Sequence, residues 1–341
     1  MSILPCNESR ESDTITFIDR LNDHFFTDDE KQYPAFATAV IDDVRDIAER
    51  CGVLTKDKHE QSRFANFCSS GIWFYQPTGA DVHDKMVTAL CFLNLLWFVD
   101  DLLDNRLVTA EEAERLVQVV AFPSLIRDDS DSDFVSVRGY AQEVQRRLLQ
   151  RHDQDWLDGF WSKYIEYIFA SLVETRSSRS ADGRSQWTVA KYMELRLLTS
   201  GVFPCEELLP MVYDFTLDHQ HRETVQRLFV LTNRIISFTN DIFSYEKERE
   251  SNSLNLVSLY QAENGASLQD TIDFCADVIN ADLTEFRQLA RVGPEEDWYQ
   301  LTVFGLQHMI QGNAVWSAMT KRYCTATSPF ADLRQRFSAL A

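Results

Sequence analysis

From Phe17 onward, apolar residues recur every three or four positions along almost the whole chain. This is the period of helices that each turn one face to a core. Val40, Val44 and Ile47 form one such stripe, and Leu116, Val119 and Val120 form another. Strand-like alternation between turn signals is hard to find, no repeat of solenoid length recurs, and no linker divides the chain into two compositions. Punctuation is sparse. The loop candidates are Ser69 to Gly71, Gln76 to Gly79, the DDSDSD run Asp128 to Asp133, the Ser/Arg-rich stretch Arg176 to Ser185, Ser251 to Ser253, and Arg291 to Glu296. Between them lie about ten helical segments, and the pattern predicts a single all-α bundle. Residues 1–15 are polar and are expected to form a loose N-terminal segment, which leaves 16–341 as one helical domain.

Composition strengthens this picture. The 341 residues include only 11 Gly and 8 Pro, and 12% of them are aromatic. Scarce helix breakers favour long helices, and a chain of this length can bury a sizeable core and a closed apolar cavity. The formal net charge of −20 provides no basic footprint for nucleic acid. It does not exclude a phosphate ligand joined to the protein through divalent cations. Seven cysteines (Cys6, Cys51, Cys68, Cys91, Cys205, Cys275 and Cys324) show no CxxC spacing and mostly sit in apolar runs. They read as reduced core residues of a cytoplasmic protein. The N-terminus lacks the basic start and apolar stretch of a signal peptide. Met86 to Val99, the most apolar run, is too short to span a bilayer, so no stable membrane insertion is expected.

That apolar run ends in carboxylates, in MVTALCFLNLLWFVDDLLD. Asp100 and Asp104 are one helical turn apart and share a face, with Asp101 about 100° round. Three carboxylates this close repel one another unless a cation joins them, and hard divalent ions bridge such oxygens to phosphates. Leu93, Leu96 and Trp97 lie behind them on the same side. A charged rim above an aromatic and aliphatic wall suits a ligand with an anionic head and an apolar tail. The alternative is a solvated helix end, although acids there oppose the helix dipole. The pattern by itself is not selective, because Asp42, Asp43 and Asp46 also fit DDxxD. Their helix is ordinarily amphipathic, Arg45 screens them, and they read as a surface face.

A second polar group follows in LFVLTNRIISFTNDIFSYEKE. Asn240, Ser244 and Glu248 fall at i, i+4 and i+8, on one helix stripe. An amide oxygen, a hydroxyl and a carboxylate make a hard-ion site. A chance polar stripe on a long helix is the competing reading. Asp241 is off the stripe and reads as a poorer ligand. Lys247 adjoins Glu248 and can reach phosphate.

The order DDxxD, then about 140 residues, then NDxxSxxxE resembles class I terpene synthases of the microbial type. Further elements agree. Trp316 to Tyr323 resembles the family's Trp-x5-Arg-Tyr element, and Arg196 lies 44 residues before Asn240, where the family keeps its diphosphate-sensing arginine. The stretch after Glu248 resembles the family's loop and following helix. The resemblance runs from about Phe64 to Tyr323.

It implies a helical bundle around a central apolar cavity, and Mg2+ as the cofactor, three ions in number, with Mn2+ as an alternative. It also implies a site, residue by residue. Asp100 binds metal, with Asp101 and Asp104 supporting that side. Asn240, Ser244 and Glu248 hold a further ion. Arg196, Lys247, Arg322 and Tyr323 hydrogen-bond the diphosphate. Trp97, Trp316, Leu93 and Phe203 wall the cavity, with Phe67, Trp73 and Phe74 as further aromatic candidates. The family's helix break falls at Thr199, Ser200 and Gly201, near Pro204. Leu197 and Leu198 depart from the pattern of relatives that place polar partners directly after the arginine. The partner of Arg196 and the choice of Thr199 or Ser200 as pivot therefore stay open.

The implied reaction is metal-dependent ionisation of a linear isoprenoid diphosphate, farnesyl diphosphate first, and cyclisation to a sesquiterpene, by a monomer or homodimer. A chain-elongating prenyltransferase would normally carry a second DDxxD in place of Asn240 to Glu248. A catalytically silent binding protein would not need intact ligand positions. No GxSxG, GxGxxG, P-loop or zinc spacing is present, and His219-Gln220-His221 lacks Cys partners.

Overall fold

A computed structural model of the protein describes residues 33–74, 76–105, 109–124, 132–178, 186–217, 222–251, 253–320 and 323. Among the described residues the regular elements are all helical. In chain order they are α1 (Tyr33–Cys51), α2 (Lys58–Cys68), a 3-10 turn (Ser69–Phe74), α3 (Val82–Asn105), α4 (Ala110–Ala121), α5 (Ser132–Leu148), α6 (Gln154–Ser178), α7 (Val189–Thr199), α8 (Val202–Glu206), α9 (Leu209–Tyr213), α10 (Arg222–Ser251), α11 (Leu256–Asn264), α12 (Leu268–Val292) and α13 (Asp297–Met319).

Local chemistry sets several boundaries. Asp57 caps α2 by accepting from the amides of His59 and Glu60. Thr109 and Glu112 form a capping box at the start of α4, which satisfies two amides that have no partner within the helix. Ser267 caps α12, and Gly265 ends α11 in the left-handed region at φ 62°.

The stripes read from the sequence are buried: Val40, Val44 and Ile47 on α1, and Leu116, Val119 and Val120 on α4. α3 is apolar nearly all round and runs through the middle of the bundle against α1, α5 and α6, the expected place for such a helix. It extends beyond the Met86–Val99 run. By length and composition Val82–Leu103 could cross a bilayer, which corrects the expectation that this segment is too short. Its side chains are instead mostly buried against neighbouring helices.

Two expected loops are also corrected. Ser69 to Gly71 opens the buried 3-10 turn, on which α13 packs. Gly312 of α13 allows the contact, because a Cβ there would lie 2.8 Å from the Ile72 carbonyl oxygen. Such a close backbone approach leaves no local signal in the turn's own sequence. α12 runs on to Val292, so the expected loop at Arg291 begins at Gly293. The Asp128 to Asp133 run, most of Arg176 to Ser185, His219 to His221, and residues 1–15 lie wholly or largely outside the described residues. Cys68, Cys91, Cys205 and Cys275 are buried free thiols and Cys51 is half-buried.

Candidate active site

One cavity of about 620 Å³ opens among α3, α6, α7, α10, α13 and the 3-10 turn. That volume falls in the range of roughly 300–1,000 Å³ common for small-molecule sites. Its apolar wall includes Leu93, Leu96 and Trp97 of α3, Ile236 of α10 and Trp316 of α13. Trp97 stacks on Phe67 with centroids 4.8 Å apart and leans on Trp316 at 5.6 Å. Trp316 meets the edge of Tyr323 at 5.8 Å and donates from its indole nitrogen to the Asn66 carbonyl at 3.2 Å. Trp73 also lines the cavity, while Phe67 and Phe74 do not. Phe203 is likewise absent from the lining, a correction to the expected wall. Gly201 and Cys205 face the cavity at i and i+4, and Phe203, midway between them, falls about 200° round the short helix.

The polar part of the lining draws on three helices. Asp100, near the C-terminal end of α3, lines the cavity and accepts a hydrogen bond from the Tyr167 hydroxyl of α6 at 3.1 Å. Asp101 is not part of the lining and pairs with Arg63 of α2. Asp104 belongs to α3, but its side chain lies outside the described residues. On α10, Asn240, Lys247 and Glu248 line the cavity. Ser244 sits between them on the stripe, fully buried, 3.5 Å from the Asp241 carbonyl, and is not among the lining residues.

Arg196 of α7 lines the cavity and reaches α10 with two donors. Its Nε donates to Asp241 Oδ1 at 2.8 Å and its Nη2 to Asn240 Oδ1 at 3.0 Å. Asp241 is completely buried, and it also accepts from the Tyr192 hydroxyl at 2.8 Å and from the Leu256 amide at 3.1 Å. The open question of the arginine's partner is thus answered by a residue that the ligand stripe had set aside. Asn240 donates from Nδ2 to the Tyr323 hydroxyl at 2.7 Å, which draws Tyr323 onto the cavity. Arg322 lies outside the described residues.

The helix break is equally specific. Thr199 is the last residue of α7, Ser200 caps it, and Gly201 turns left-handed at φ 69°. The Leu197 carbonyl, freed by the break, accepts from Asn233 Nδ2 at 2.9 Å, and the Ser200 hydroxyl donates to Asn233 Oδ1 at 2.9 Å. Asn233 of α10, with the Ser200 hydroxyl also 3.3 Å from the Leu197 carbonyl, thus satisfies backbone that the interruption frees.

Charge is concentrated here. Burial pushes the Glu248 carboxyl up and the Asp241 charge adds to it, while Lys247, Arg196 and the Asn255 amide pull it back. Glu174 of α6, which the sequence reading missed, also lines the cavity. Burial pushes it up to about 7, against the pull of Arg196 and the Thr199 hydroxyl, with Asp241 and Glu248 adding to the rise. Burial works against the Arg196 charge, but Asp241 and the neighbouring acidic groups hold its affinity for the proton well above the ordinary value.

The donor set of Asp100, Asn240 and Glu248 offers hard oxygens around one opening, as a divalent cation requires. Among the described residues, no three His, Cys, Asp or Glu side chains form a ready cage. These oxygens therefore suit ions that complete their coordination with ligand oxygens. The decoy motif has no part in the site. Asp42 pairs with Arg45 on the outer face of α1, and Asp43 pairs with His83 at the start of α3.

Comparison with known proteins gives the family and the fold. Residues 91–285, more than half of the chain, match the family model described as terpene synthase family 2, C-terminal metal binding. An alpha-muurolene synthase of Coprinopsis cinerea is 28% identical over 253 residues, which cover 68% of this chain and 57% of that protein. A (+)-T-muurolol synthase of Roseiflexus castenholzii that cyclises (2E,6E)-farnesyl diphosphate is 27% identical, with 80% and 84% covered. Among solved structures, the 2-methylisoborneol synthase of Streptomyces coelicolor, in complex with Mg2+ and 2-fluoroneryl diphosphate, superposes with a TM-score of 0.72. That match is 16% identical and covers 86% of this chain and 94% of the other, and it establishes a shared fold.

Proposed function

The chain belongs to terpene synthase family 2, and from that premise we propose that it ionises a linear isoprenoid diphosphate, farnesyl diphosphate first, and cyclises the cation to a sesquiterpene hydrocarbon or alcohol. Family membership brings dependence on a divalent metal. The specific reading is Mg2+, three ions, which Asp100 would hold on one side and Asn240 and Glu248 on the other, joined by Ser244 once its hydroxyl turns from the Asp241 carbonyl towards the cavity. The observation that carries the proposal is that Asp100, Arg196, Asn240 and Glu248, far apart in sequence, border one cavity whose remaining wall is largely aromatic and aliphatic.

When bound, Mg2+ supplies a Lewis acid for the charge that develops on the leaving diphosphate. The protein's own groups do the rest. Arg196 and Lys247 offer donors to the diphosphate oxygens, and two of the five guanidinium donors of Arg196 are already fixed on Asp241 and Asn240. Tyr323, tied to Asn240, extends that set just beyond the C-terminal end of α13, and Arg322, its neighbour in sequence, is read as a further donor. The faces of Trp97 and Trp316 stabilise positive charge without reacting, at roughly 0.5–2 kcal/mol each when desolvated. Exclusion of water by closure of these elements protects the cation from quenching.

The test is direct. Purified protein is incubated with Mg2+ and each of geranyl, farnesyl and geranylgeranyl diphosphate, alone and with isopentenyl diphosphate, and the volatiles are analysed. Cyclic C15 products from farnesyl diphosphate alone are expected. Longer linear diphosphates that appear only with isopentenyl diphosphate would replace cyclisation by chain elongation, and no turnover on any substrate would reduce the protein to a binding role. Asn240→Ala should nearly abolish turnover, whereas Asp42→Asn should leave it intact.

A further inference from the structure

Asn255 is the last residue before α11 and is completely buried. Both ends of its carboxamide are engaged. Oδ1 accepts from the Val257 amide at 2.8 Å and so caps α11. Nδ2 donates to the Asp241 carbonyl at 2.7 Å and to Glu248 Oε2 at 2.7 Å. One rigid amide thus connects the cap of α11 to two points on α10 almost two helical turns apart. One is the cavity-lining carboxylate of Glu248. The other is the main chain of Asp241, whose side chain holds Arg196, Tyr192 and the Leu256 amide.

We propose that Asn255 is a positioning residue of the metal site. It fixes the Glu248 carboxylate in one rotation and locks it to the backbone of the residue that anchors Arg196, so that metal ligand and diphosphate-binding arginine keep a constant relation. This inference rests on the proposed function, in which Glu248 holds metal and Arg196 meets diphosphate. The physical need is clear at Glu248. A Glu side chain has three rotatable bonds, and one oriented by a second hydrogen bond presents its free oxygen without an ordering cost when metal arrives. Groups that orient metal ligands in this way typically govern affinity by roughly 10–100-fold. A helix cap alone asks for none of this, because serine or aspartate satisfies the Val257 amide as well as asparagine does.

That difference supplies the test. Asn255→Ser and Asn255→Asp both keep the cap acceptor and both lose the amide donors to Glu248 and to the Asp241 carbonyl; the aspartate also sets a negative charge beside Glu248. Wild type and both variants are compared in three measurements: turnover of farnesyl diphosphate against Mg2+ concentration, calorimetric binding of Mg2+ in the presence of inorganic diphosphate, and thermal unfolding without ligands. In both variants half-saturating Mg2+ should rise about tenfold or more, with kcat at saturating Mg2+ recovering towards wild type in the serine variant; both should unfold at a lower temperature, the aspartate more so, because the buried Asp241 carbonyl loses its donor and the new carboxylate faces Glu248. A wild-type Mg2+ curve in both variants would overturn the proposal. So would a fall in activity with unchanged half-saturation and a lowered unfolding temperature, which would make Asn255 merely structural. If one variant fails to fold, the other decides. A wild-type protein that neither turns over nor binds Mg2+ with diphosphate would instead remove the functional reading beneath.

Discussion

Arg196 keeps a charge inside the protein because Asp241 sits beside it, and Asp241 is held in turn by Tyr192 and the Leu256 amide. Removing one member of such a buried pair costs on the order of 3–5 kcal/mol, since the other charge is left without compensation. Asp241→Asn should therefore lower stability by a few kcal/mol in denaturant unfolding. It should also cut kcat/KM by about 100-fold through misplacement of the guanidinium, and near-wild-type kinetics would show that Asp241 does not set the arginine. Glu174 predicts a pH dependence. Its carboxyl in the folded protein is raised from 4.5 to about 7, so the folded state binds the proton more tightly than the unfolded chain. The stability Glu174 contributes is then greatest below about pH 4.5 and is lost as pH rises towards 7, by roughly 3 kcal/mol. Glu174→Gln removes this loss. Its unfolding temperature should gain on wild type between pH 5 and pH 8, and a constant difference across that range would count against the assignment. Neither role was legible in the sequence. The partners of Asp241 come from α7 and the start of α11, and Glu174 carries no motif. The stripe of Asn240, Ser244 and Glu248 was legible because the period of one helix creates it.

Helices were readable in proportion to how far their own residues determine them. α4 carries its capping box and its stripe in the sequence, and α3 declares its central place by being apolar nearly all round. The 3-10 turn was not readable, because its shape depends on α13 lying against its backbone at Gly312. The break after α7 was only half readable. The family resemblance placed it at Thr199 to Gly201, but Asn233, which satisfies the freed Leu197 carbonyl, comes from another helix. Two glycine substitutions separate these influences. In Gly312→Ala the new methyl would meet the Ile72 carbonyl oxygen at 2.8 Å, and backbone cannot move aside as a flexible side chain can. Overpacking of this kind costs about 1–3 kcal/mol. At Gly159 in α6 an added methyl would have nothing within 4 Å, so Gly159→Ala should stabilise by about 0.5–1 kcal/mol through helix propensity alone. Chemical denaturation of the two variants checks both signs, and a neutral Gly312→Ala would mean that the turn and α13 are not in intimate contact.

The whole molecule sets an electrostatic problem that its ligands must solve together. The chain carries a net charge of −20, and its cavity is bordered by Asp100, Glu174 and Glu248, with Arg196 and Lys247 as the cations on the same lining. A free diphosphate entering this site meets carboxylates at close range, where low dielectric magnifies repulsion. A free Mg2+ finds hard oxygens spread over α3 and α10, with no three acidic or thiol groups gathered into a cage among the described residues. Each ligand alone is therefore poorly served, while each supplies what the other lacks: the cation offsets the carboxylates, and the diphosphate oxygens complete its coordination and meet Arg196. Binding should be strongly cooperative. In thermal unfolding, Mg2+ alone and diphosphate alone should each shift the midpoint little. Both together, at about a hundred times their joint dissociation constant, should add on the order of 2.7 kcal/mol, and a chelator should return the midpoint to its starting value. Because the repulsion is partly screened by salt, the small effect of diphosphate alone should grow with ionic strength while the joint effect changes less. A full shift from diphosphate without metal would mean that the arginine and lysine outweigh the carboxylates, and that the cavity binds anions by its own charge.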